Sequence, residues 1–459
     1  MGIGGIVHYI ITLGPSVVLP IIIFIIGLIM RLKPGQAFRA GLIIGIGFVG
    51  INLVIGLLGN VVGPAAQQMV HHSGVHLNIL DVGWPSTAAI AYGSTVGALA
   101  IPVGLIVDLV MLLSGLTLTL DIDLWNYWHI AFAGALVAIV TKSYSDGLFA
   151  EAIAMVFILT MADWSQPWVK KYFGYDNISF PHGTSTPYFV MALVLNKFFD
   201  IIPGFRKLDA SPERLQKQFG IFGDTMVMGL IFGLLIGILA GETFSGVLTL
   251  GITVAAVMVI LPRMVAILME GLMPVADGAS SMLQKRFPGR KLFIGMDTAI
   301  LVGAPTTIAA SVVLVPITLG LAFILPGNRT LPFVDLATIP FILALMTPVF
   351  QGNVVRTIVG GAIAMIPTLY IATALSPLMT IAARQVGFKF PPGAVHITSL
   401  VDGGNLLPWL IRVAGGEGVL GLGILFILGL IFAWLIRRTI SLKHTPQDER
   451  DSSREAVGS

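Results

Sequence analysis

Two apolar segments of this chain of 459 residues are interrupted by a proline followed by hydroxyl side chains. The first interruption reads Trp-Pro-Ser-Thr over residues 84–87, and the second reads Ala-Pro-Thr-Thr over residues 304–307. A proline frees a helical carbonyl, and the hydroxyls after it can bond either to that helix or to a ligand. We therefore take Ser86, Thr87 and Thr306 as candidate ligand-binding residues, with bonding back to their own helix as the alternative.

Two aspartates lie in glycine-rich or apolar surroundings. Asp297 precedes the second proline break, and Asp402 begins an Asp-Gly-Gly-Asn sequence that ends at Asn405. Ionisable residues inside a membrane cost several kcal/mol and commonly mark a functional site. We interpret Asp297, Asp402 and Asn405 as substrate-binding residues, with helix capping at the membrane surface as the alternative for each aspartate.

Two of the eight histidines stand next to polar or aromatic motifs. His129 follows the sequence Trp-Asn-Tyr-Trp, and His182 lies with Thr184 in the sequence Pro-His-Gly-Thr-Ser. An imidazole can donate or accept a hydrogen bond near neutral pH, which suits recognition of a hydroxyl. The aromatic residues before His129 suit either an interfacial belt or a face that stacks on a sugar. A capping or solvated loop histidine is the alternative for His182.

The composition of the chain indicates the class of protein to which these residues belong. It is 56% hydrophobic and 11% charged, and its mean hydropathy is +0.93, whereas a soluble domain is about 45–50% apolar and about 25% charged. The sequence therefore predicts an all-α polytopic membrane protein and excludes a water-soluble enzyme. Its 53 glycines and 26 prolines indicate broken or closely packed helices, which are typical of transporters.

Several kinds of chemistry are excluded by missing residues. The chain has no cysteine, so it forms no disulfide, thiolate metal site or cysteinyl intermediate. No lysine follows a glycine, which excludes a phosphate-binding P-loop. His72 and His76 have the spacing of a metal pair but lack an evident third ligand. We expect no metal, no other cofactor and no nucleic-acid partner.

Basic loops predict how the chain crosses the membrane. The positive-inside rule places the loops near residues 31–39, 206–217 and 437–443 in the cytoplasm. Five apolar stretches separate the first two loops, but an even number of crossings is required. We therefore predict a re-entrant hairpin over residues 163–187. The result is about 11 transmembrane helices, with the N-terminus outside and the C-terminus in the cytoplasm.

The two halves of the chain resemble each other at an offset of about 210 to 220 residues. Residues 82–87 match 302–307, residues 152–155 match 362–365, and Asp123 matches Asp335. An odd number of spans per repeat inverts the second copy. The predicted parts are a first repeat over 1–205, a cytoplasmic linker over 206–220, a second repeat over 221–415, a transmembrane helix over 416–440 and a disordered cytoplasmic tail over 441–459.

Six motifs together resemble one family, the galactitol family of the membrane component IIC of the bacterial phosphotransferase system (PTS), in the ascorbate–galactitol superfamily. The resemblance covers nearly the whole chain. The motifs are residues 44–50, 63–66, 81–85, 125–129, 181–185 and 332–338.

The resemblance implies a homodimer in the cytoplasmic (inner) membrane, with a scaffold, a mobile core and elevator-like transport. It implies a sugar alcohol as substrate, with galactitol first and arabitol or another hexitol as alternatives. A separate IIB subunit, fed by IIA, HPr and enzyme I, would phosphorylate the polyol from a phosphocysteine. The absence of cysteine from this chain agrees with that division, and His182 or Asp297 is then a candidate base.

The rival interpretation is an ion-coupled secondary transporter or a facilitator that releases a polyol unmodified. The carboxyl groups available for an ion are those of Asp108, Glu151, Glu242 and Glu270.

Overall fold

The computed structural model describes residues 15–73, 77–206, 210, 225–286, 292–390 and 394–443. The longer helices are α1 (Pro15–Ile29), α2 (Pro34–Ser73), α3 (Trp84–Gly93), α4 (Ala100–Ser114), α5 (Trp128–Thr141), α6 (Tyr144–Phe173), α7 (Thr186–Ile201), α8 (Thr225–Ala240), α9 (Phe244–Arg286), α10 (Pro305–Ile324), α11 (Val354–Gln385), α12 (Leu406–Gly416) and α13 (Gly418–Lys443). Short helical turns lie at Gly97–Leu99, Leu124–Tyr127, Pro203–Arg206, Ala299–Val302, Val334–Thr338, Ile339–Leu343 and Met346–Val349.

Eight helical stretches in the described part of the chain are long and apolar enough to cross a membrane. A crossing of the hydrocarbon core, which is about 30 Å thick, needs about 20 mostly apolar residues. The prediction of a polytopic, mostly helical membrane protein is therefore confirmed. Most of the predicted linker (residues 207–209 and 211–220), the tail beyond Lys443 and His76 lie outside the described residues.

The predicted re-entrant hairpin over residues 163–187 is wrong in its first part, because residues 163–173 belong to helix α6. The helix continues without interruption through Asp163 to Phe173. Its polar residues are tolerated because they have partners inside the protein: the Asp163 carboxylate accepts the Leu118 N–H and the hydroxyls of Thr117 and Thr119 at 2.8 Å each. Only residues 174–185 form the non-helical segment that the prediction began at residue 163.

Two very long helices pack together on one side of the molecule. Helices α2 and α9 have 40 and 43 residues, or about 60 Å each, and pack against each other and against α1 and α8. Glycine permits their close approach, since a Cβ added at Gly47 would lie 2.9 Å from the Leu268 backbone. We call α1, α2, α8 and α9 the framework.

Helix α5 lies at the centre of the remaining helices. Its residues from Trp128 to Val137 are all buried, as expected for a helix that is apolar on every side. It packs against α3, α6 and α12. The side chain of His129, at the start of this helix, is therefore held inside the protein.

In the described part of the chain, six short strands form two parallel sheets between the helices. The first sheet has the order β5-β1-β6, and the second has the order β2-β4-β3. In sequence order the strands are β1 (Ile79–Asp81), β2 (Thr119–Asp121), β3 (Ile178–Ser179), β4 (Phe293–Gly295), β5 (Thr330–Leu331) and β6 (His396–Thr398). The sheets pair backbone groups that no helix satisfies, a requirement for irregular chain inside an apolar bundle.

Each sheet combines strands from both halves of the chain. Ile79 of β1 pairs with Thr330 and His396, and Ile294 of β4 pairs with Leu120 and Ile178. The last residues of the strands and the segments that follow them carry most of the buried aspartates and the His182 side chain. The two sheets therefore bring polar residues that are distant in sequence to the middle of the helical bundle.

Candidate functional site

Two buried histidines and two buried aspartates form a continuous polar cluster. The rings of His129 and His182 lie edge to face, with centroids 4.6 Å apart. His129 Nδ1 lies 2.9 Å from Asp402 Oδ1, and His182 Nε2 lies 3.6 Å from Asp297 Oδ1. All four residues are at most 8% exposed. We call these four residues the His–Asp cluster.

Each member of the His–Asp cluster comes from a different element. His129 lies in the first turn of α5, and His182, Asp297 and Asp402 follow β3, β4 and β6, respectively. Backbone and side-chain bonds fix the two aspartates: Asp297 Oδ1 accepts the Ala299 N–H at 2.8 Å, and Asp402 Oδ1 accepts the Thr184 hydroxyl at 3.2 Å. Asp297 therefore both caps a helical turn and contacts a histidine.

Close packing of glycine brings the histidines together. A Cβ added at Gly183 would lie 2.4 Å from the Cβ of His129. The Asn405 amide donates to the carbonyls of Gly183 and Thr184 at 3.2 Å, and its oxygen accepts the Leu407 N–H that begins α12. Thr184 and Asn405 thus hold the segment of His182 against the segment of Asp402.

Two fully buried atoms of the His–Asp cluster have no hydrogen-bond partner within the described residues. They are His129 Nε2 and Asp402 Oδ2, and both are buried. His129 and Asp402 line a cavity of about 10 Å³ together with Ala133, Ala154, Ile158, Gly183, Leu407 and Pro408. When His129 Nδ1–H donates to Asp402, both free atoms are acceptors, which the hydroxyl groups of a ligand can satisfy.

A second small cavity lies on the other side of the His–Asp cluster. It measures about 20 Å³ and brings Asp297 and Asp123 together with apolar side chains of the framework, which are Ile23, Ile44, Leu268 and Leu272. The Asp123 Oδ1 atom is buried and has no partner in the described part of the chain. Carboxyl groups thus face the boundary between the framework and the rest of the bundle.

Two further buried aspartates stabilise the fold through hydrogen bonds and line neither of the two small cavities. Asp81 accepts the N–H groups of Gly83, Phe333 and Asp335 at 2.9–3.0 Å. Asp335 accepts the N–H groups of Trp84 and Val401 and the Ser399 hydroxyl. Asp81, Asp121 and Asp123 were not predicted to be site residues. Asp335 was also not predicted to be one, although it lies in the motif at residues 332–338 and matches Asp123 in the other half of the chain.

Asp335→Asn is expected to reduce the free energy of unfolding by about 1–3 kcal/mol, because its amide replaces one acceptor and leaves buried donors unpaired. Thermal unfolding of the purified full chain in detergent checks this. Asp176→Asn is the matched control, since the Asp176 side chain is 53% exposed and pairs with Lys170 at the surface, where such pairs contribute about 0–1 kcal/mol. Equal unfolding temperatures of the two variants would contradict the assignment.

The hydroxyls of the two proline breaks have protein partners. Ser86 and Thr87 donate to the carbonyls of Gly83 and Trp84 at 2.7 Å, which is the alternative of bonding back to the local backbone. Thr306 donates to the Gly352 carbonyl at 2.9 Å. None of these three hydroxyls is bonded to the His–Asp cluster.

The aromatic residues before His129 are buried rather than spread over a surface. Tyr127 and Trp128 are 2% and 4% exposed, and the Trp128 ring lies against His129 with centroids 3.8 Å apart. Trp128 also contacts Trp84 at 6.3 Å. This burial favours a role at the site over an interfacial belt, in which the rings would reach the headgroup region.

The described residues contain no group of three or more histidine, aspartate or glutamate side chains arranged to hold a metal ion. The cluster instead offers imidazole and carboxyl groups for hydrogen bonding. A bundle of apolar membrane helices around such a buried polar site, built from non-helical segments, defines the class of multi-pass membrane permeases.

Sequence comparison identifies the family. Residues 9–393 match the family EIIC-GAT, described as the PTS system sugar-specific permease component, and the chain belongs to this family. Together with the apolar helices, family membership identifies a multi-pass protein of the inner membrane. The resemblance drawn from the sequence motifs is confirmed.

The chain is also similar to curated bacterial proteins over almost its full length. It is 39% identical over 433 residues to the "PTS system galactitol-specific EIIC component" of Escherichia coli (strain K12), which covers 94% of this chain and 96% of that protein. The protein of the same name in Escherichia coli O157:H7 matches equally well. A "Putative permease IIC component" of strain K12 is 40% identical over 416 residues, or 90% of this chain and 94% of that protein.

Proposed function

We propose that this permease binds a sugar alcohol, with galactitol as the first candidate, carries it across the inner membrane and presents it to a separate IIB-type subunit for phosphorylation. The single observation that carries the proposal is the pair of unpartnered acceptors, His129 Nε2 and Asp402 Oδ2, on one buried cavity. The names of the similar proteins support galactitol. Arabitol and other hexitols have the same vicinal hydroxyls and are the alternative substrates.

The two pairs of the His–Asp cluster have different proposed roles. His129 and Asp402 bind and orient the polyol, because both residues line the cavity between α5, α6 and α12 and each has a buried polar atom without a partner in the described residues. His182 or Asp297 removes the proton from the attacking hydroxyl, since Asp297 lines the second cavity and His182 Nε2 lies 3.6 Å from its carboxyl group. A base within hydrogen-bond reach of the hydroxyl is needed for this step.

The remaining predicted site residues have supporting roles in this proposal. Thr184 and Asn405 hold the segments of His182 and Asp402 together. The hydroxyls of Ser86, Thr87 and Thr306 already donate to carbonyls, so they face a substrate only as acceptors. These three residues shape the ends of α3 and α10.

The phosphoryl carrier belongs to another chain in this proposal. This protein has no cysteine, and the resemblance to component IIC implies a phosphocysteine on IIB, supplied by IIA, HPr and enzyme I. The permease then positions the substrate. It holds the acceptor hydroxyl in line with the phosphorus atom, which is the main requirement of phosphoryl transfer. The surface that receives IIB is proposed near the basic loop 206–217.

We further propose two inverted repeats, over residues 1–205 and 221–415. The strands support this division: β4, β5 and β6 follow β1, β2 and β3 by about 210 to 220 residues. Exchanging the halves converts the order β5-β1-β6 into β2-β4-β3. His182 after β3 and Asp402 after β6 then occupy corresponding places in the two repeats.

An elevator-like movement is proposed for the substrate. The framework would remain fixed while the bundle that carries the His–Asp cluster moves along it, and the cavity of Asp123 and Asp297 lies at this boundary. Apolar framework side chains on one wall favour sliding, since they form no hydrogen bonds that must break. A homodimer and about 11 spans, with the C-terminus cytoplasmic after residues 416–440, complete the proposal.

Uptake of radiolabelled galactitol tests the proposed function. Cells or vesicles with the full chain and the other PTS components should accumulate galactitol phosphate only when phosphoenolpyruvate is present. Vesicles without the soluble PTS components are the matched control and should accumulate no phosphate ester. Accumulation of free galactitol on a proton or sodium gradient would overturn the proposal in favour of a secondary transporter.

A further inference from the structure

Helix α6 carries a glutamate that the proposed transport mechanism does not use. Glu151 is 0% exposed and lies among the apolar residues of this helix. Neither carboxyl oxygen has a hydrogen-bond partner within the described residues. An unpaired ionised carboxylate is very costly in an apolar interior. This side chain therefore requires an explanation beyond packing.

Two glycines make room for the Glu151 side chain. A Cβ added at Gly134 of α5 would lie 2.6 Å from Glu151 Cγ and 3.0 Å from its Oε1. A Cβ added at Gly147 of α6 would lie 2.9 Å from the Gly134 carbonyl oxygen. The carboxyl group thus lies directly over the α5 backbone at the closest approach of the two helices.

A large cavity opens near one end of this helix pair. It measures about 530 Å³ and lies between the ends of α3, α5 and α11, where Ser94, Thr95, Lys142 and Gln385 contribute polar groups to its lining. We call this cavity the vestibule. Val96 and Ala138, which also line it, are the side chains that a Cβ at Gly147 would meet at 2.9 Å. Gly147 lies one helical turn before Glu151.

The same face of α6 leads on to the His–Asp cluster. Residues 147, 151, 154 and 158 lie on one side of the helix because of its 3.6-residue period. Ala154 and Ile158 line the cavity that contains the unpartnered atoms of His129 and Asp402. Glu151 thus lies along α6 between the wall of the vestibule and the buried site.

No charged group neutralises Glu151 within the described residues. None of the titratable or charged side chains on the elements packed against α6 is ion-paired or hydrogen-bonded to it. Those side chains are Asp108 on α4, Asp121 on β2, His129 on α5 and Lys142 directly after it, Tyr188, Lys197 and Asp200 on α7, Arg412 on α12, and Arg437 and Arg438 on α13.

We propose that Glu151 is a proton-binding site that exchanges its proton with water in the vestibule. The proton is bound as the neutral carboxylic acid, so no bare charge is buried between α5 and α6. The site is independent of the identity of the transported polyol. The Glu151 carboxyl group thus holds one exchangeable proton between the vestibule and the His–Asp cluster.

Infrared spectroscopy of the ligand-free full chain tests the proposal at neutral pH. Carbon-13 labelling of glutamate identifies the carbonyl stretch of a protonated glutamic acid. We expect this band in the wild type, its downshift after transfer to D₂O, and its loss in Glu151→Gln. Glu417→Gln, at an exposed position, is the matched control and should keep the band. A wild type without the band, or a Glu151→Gln variant that keeps it, would overturn the proposal.

A second experiment tests the route and uses the natural absence of cysteine. Thr95→Cys places one thiol in the chain, on the vestibule lining. A bulky maleimide at this thiol should slow the D₂O shift of the Glu151 band by at least about tenfold, whereas unlabelled Thr95→Cys should behave as the wild type. Equal exchange rates with and without the label would overturn the vestibule route. Neither experiment requires galactitol binding, so a failure here is distinct from a failure of the proposed function.

Discussion

His182→Ala and Asp297→Ala are each expected to lower the rate of galactitol phosphorylation by about 10²- to 10⁴-fold, the usual contribution of a general base. The reason is that His182 Nε2 and Asp297 Oδ1 lie 3.6 Å apart, so either substitution removes the base or the group that polarises it. Membrane vesicles supplied with the soluble PTS components and phosphoenolpyruvate give this rate directly.

Two controls separate chemistry from folding in that experiment. His396→Ala changes a half-buried histidine of β6 outside the His–Asp cluster, and it should retain most of the rate. Membrane insertion and assembly of the His182 and Asp297 variants should equal those of the wild type. Phosphorylation at the wild-type rate in both alanine variants would contradict the assignment of a base to this pair.

Asp402→Asn is expected to weaken galactitol binding by about 10- to 100-fold. The Asp402 carboxyl contacts His129 and Thr184 through Oδ1 and leaves Oδ2 free on the cavity. An amide replaces one of these acceptors with a donor, so either the His129 ring or the ligand hydroxyl loses its partner. Hydrogen bonds to charged groups contribute about 1.5–3 kcal/mol, which gives the expected range of affinity.

Equilibrium binding of radiolabelled galactitol to the full chain in lipid nanodiscs measures this change. Thr184→Val is the informative comparison: it removes one hydroxyl bond to Asp402 Oδ1 at 3.2 Å but leaves the free Oδ2 atom in place. Its affinity should fall by no more than about tenfold, or about 1.4 kcal/mol, because the acceptor proposed for the substrate remains. Unchanged affinity in Asp402→Asn would show that this carboxyl does not bind the substrate.

The members of the His–Asp cluster could be singled out from the sequence, because ionisable residues are rare in membrane segments. His129, His182, Asp297 and Asp402 were each singled out separately. The structure places them in one cluster through loops that follow β3, β4 and β6 and through the start of α5. That convergence depends on pairing between strands that lie more than about 100 residues apart in the sequence, which no local pattern encodes.

The strands themselves were not predicted, for a physical reason. They are only two or three residues long, too short for the alternation that identifies a strand. The aspartates at or just after β1 and β2, which are Asp81, Asp121 and Asp123, were therefore missed, although the related sequences Leu-Asp-Val-Gly at 80–83 and Leu-Asp-Ile-Asp at 120–123 offered a signal.

The prediction that a re-entrant hairpin begins at residue 163 was wrong for a different reason, since α6 continues to Phe173. The polarity of residues after Asp163 suggested a segment that could not cross the membrane, whereas Asp163 is 1% exposed and bonded to the start of β2. A sequence shows the cost of a polar side chain but not its partner. The same difficulty applied to Ser86 and Thr87, whose hydroxyls are used by nearby carbonyls.

The most direct test of the account is a structure of the full chain determined with saturating galactitol. We expect ligand density within hydrogen-bond distance of His129 Nε2 and Asp402 Oδ2, with one hydroxyl close to His182 or Asp297. Density confined to the vestibule or to another surface, with the His–Asp cluster unchanged, would contradict the proposed site.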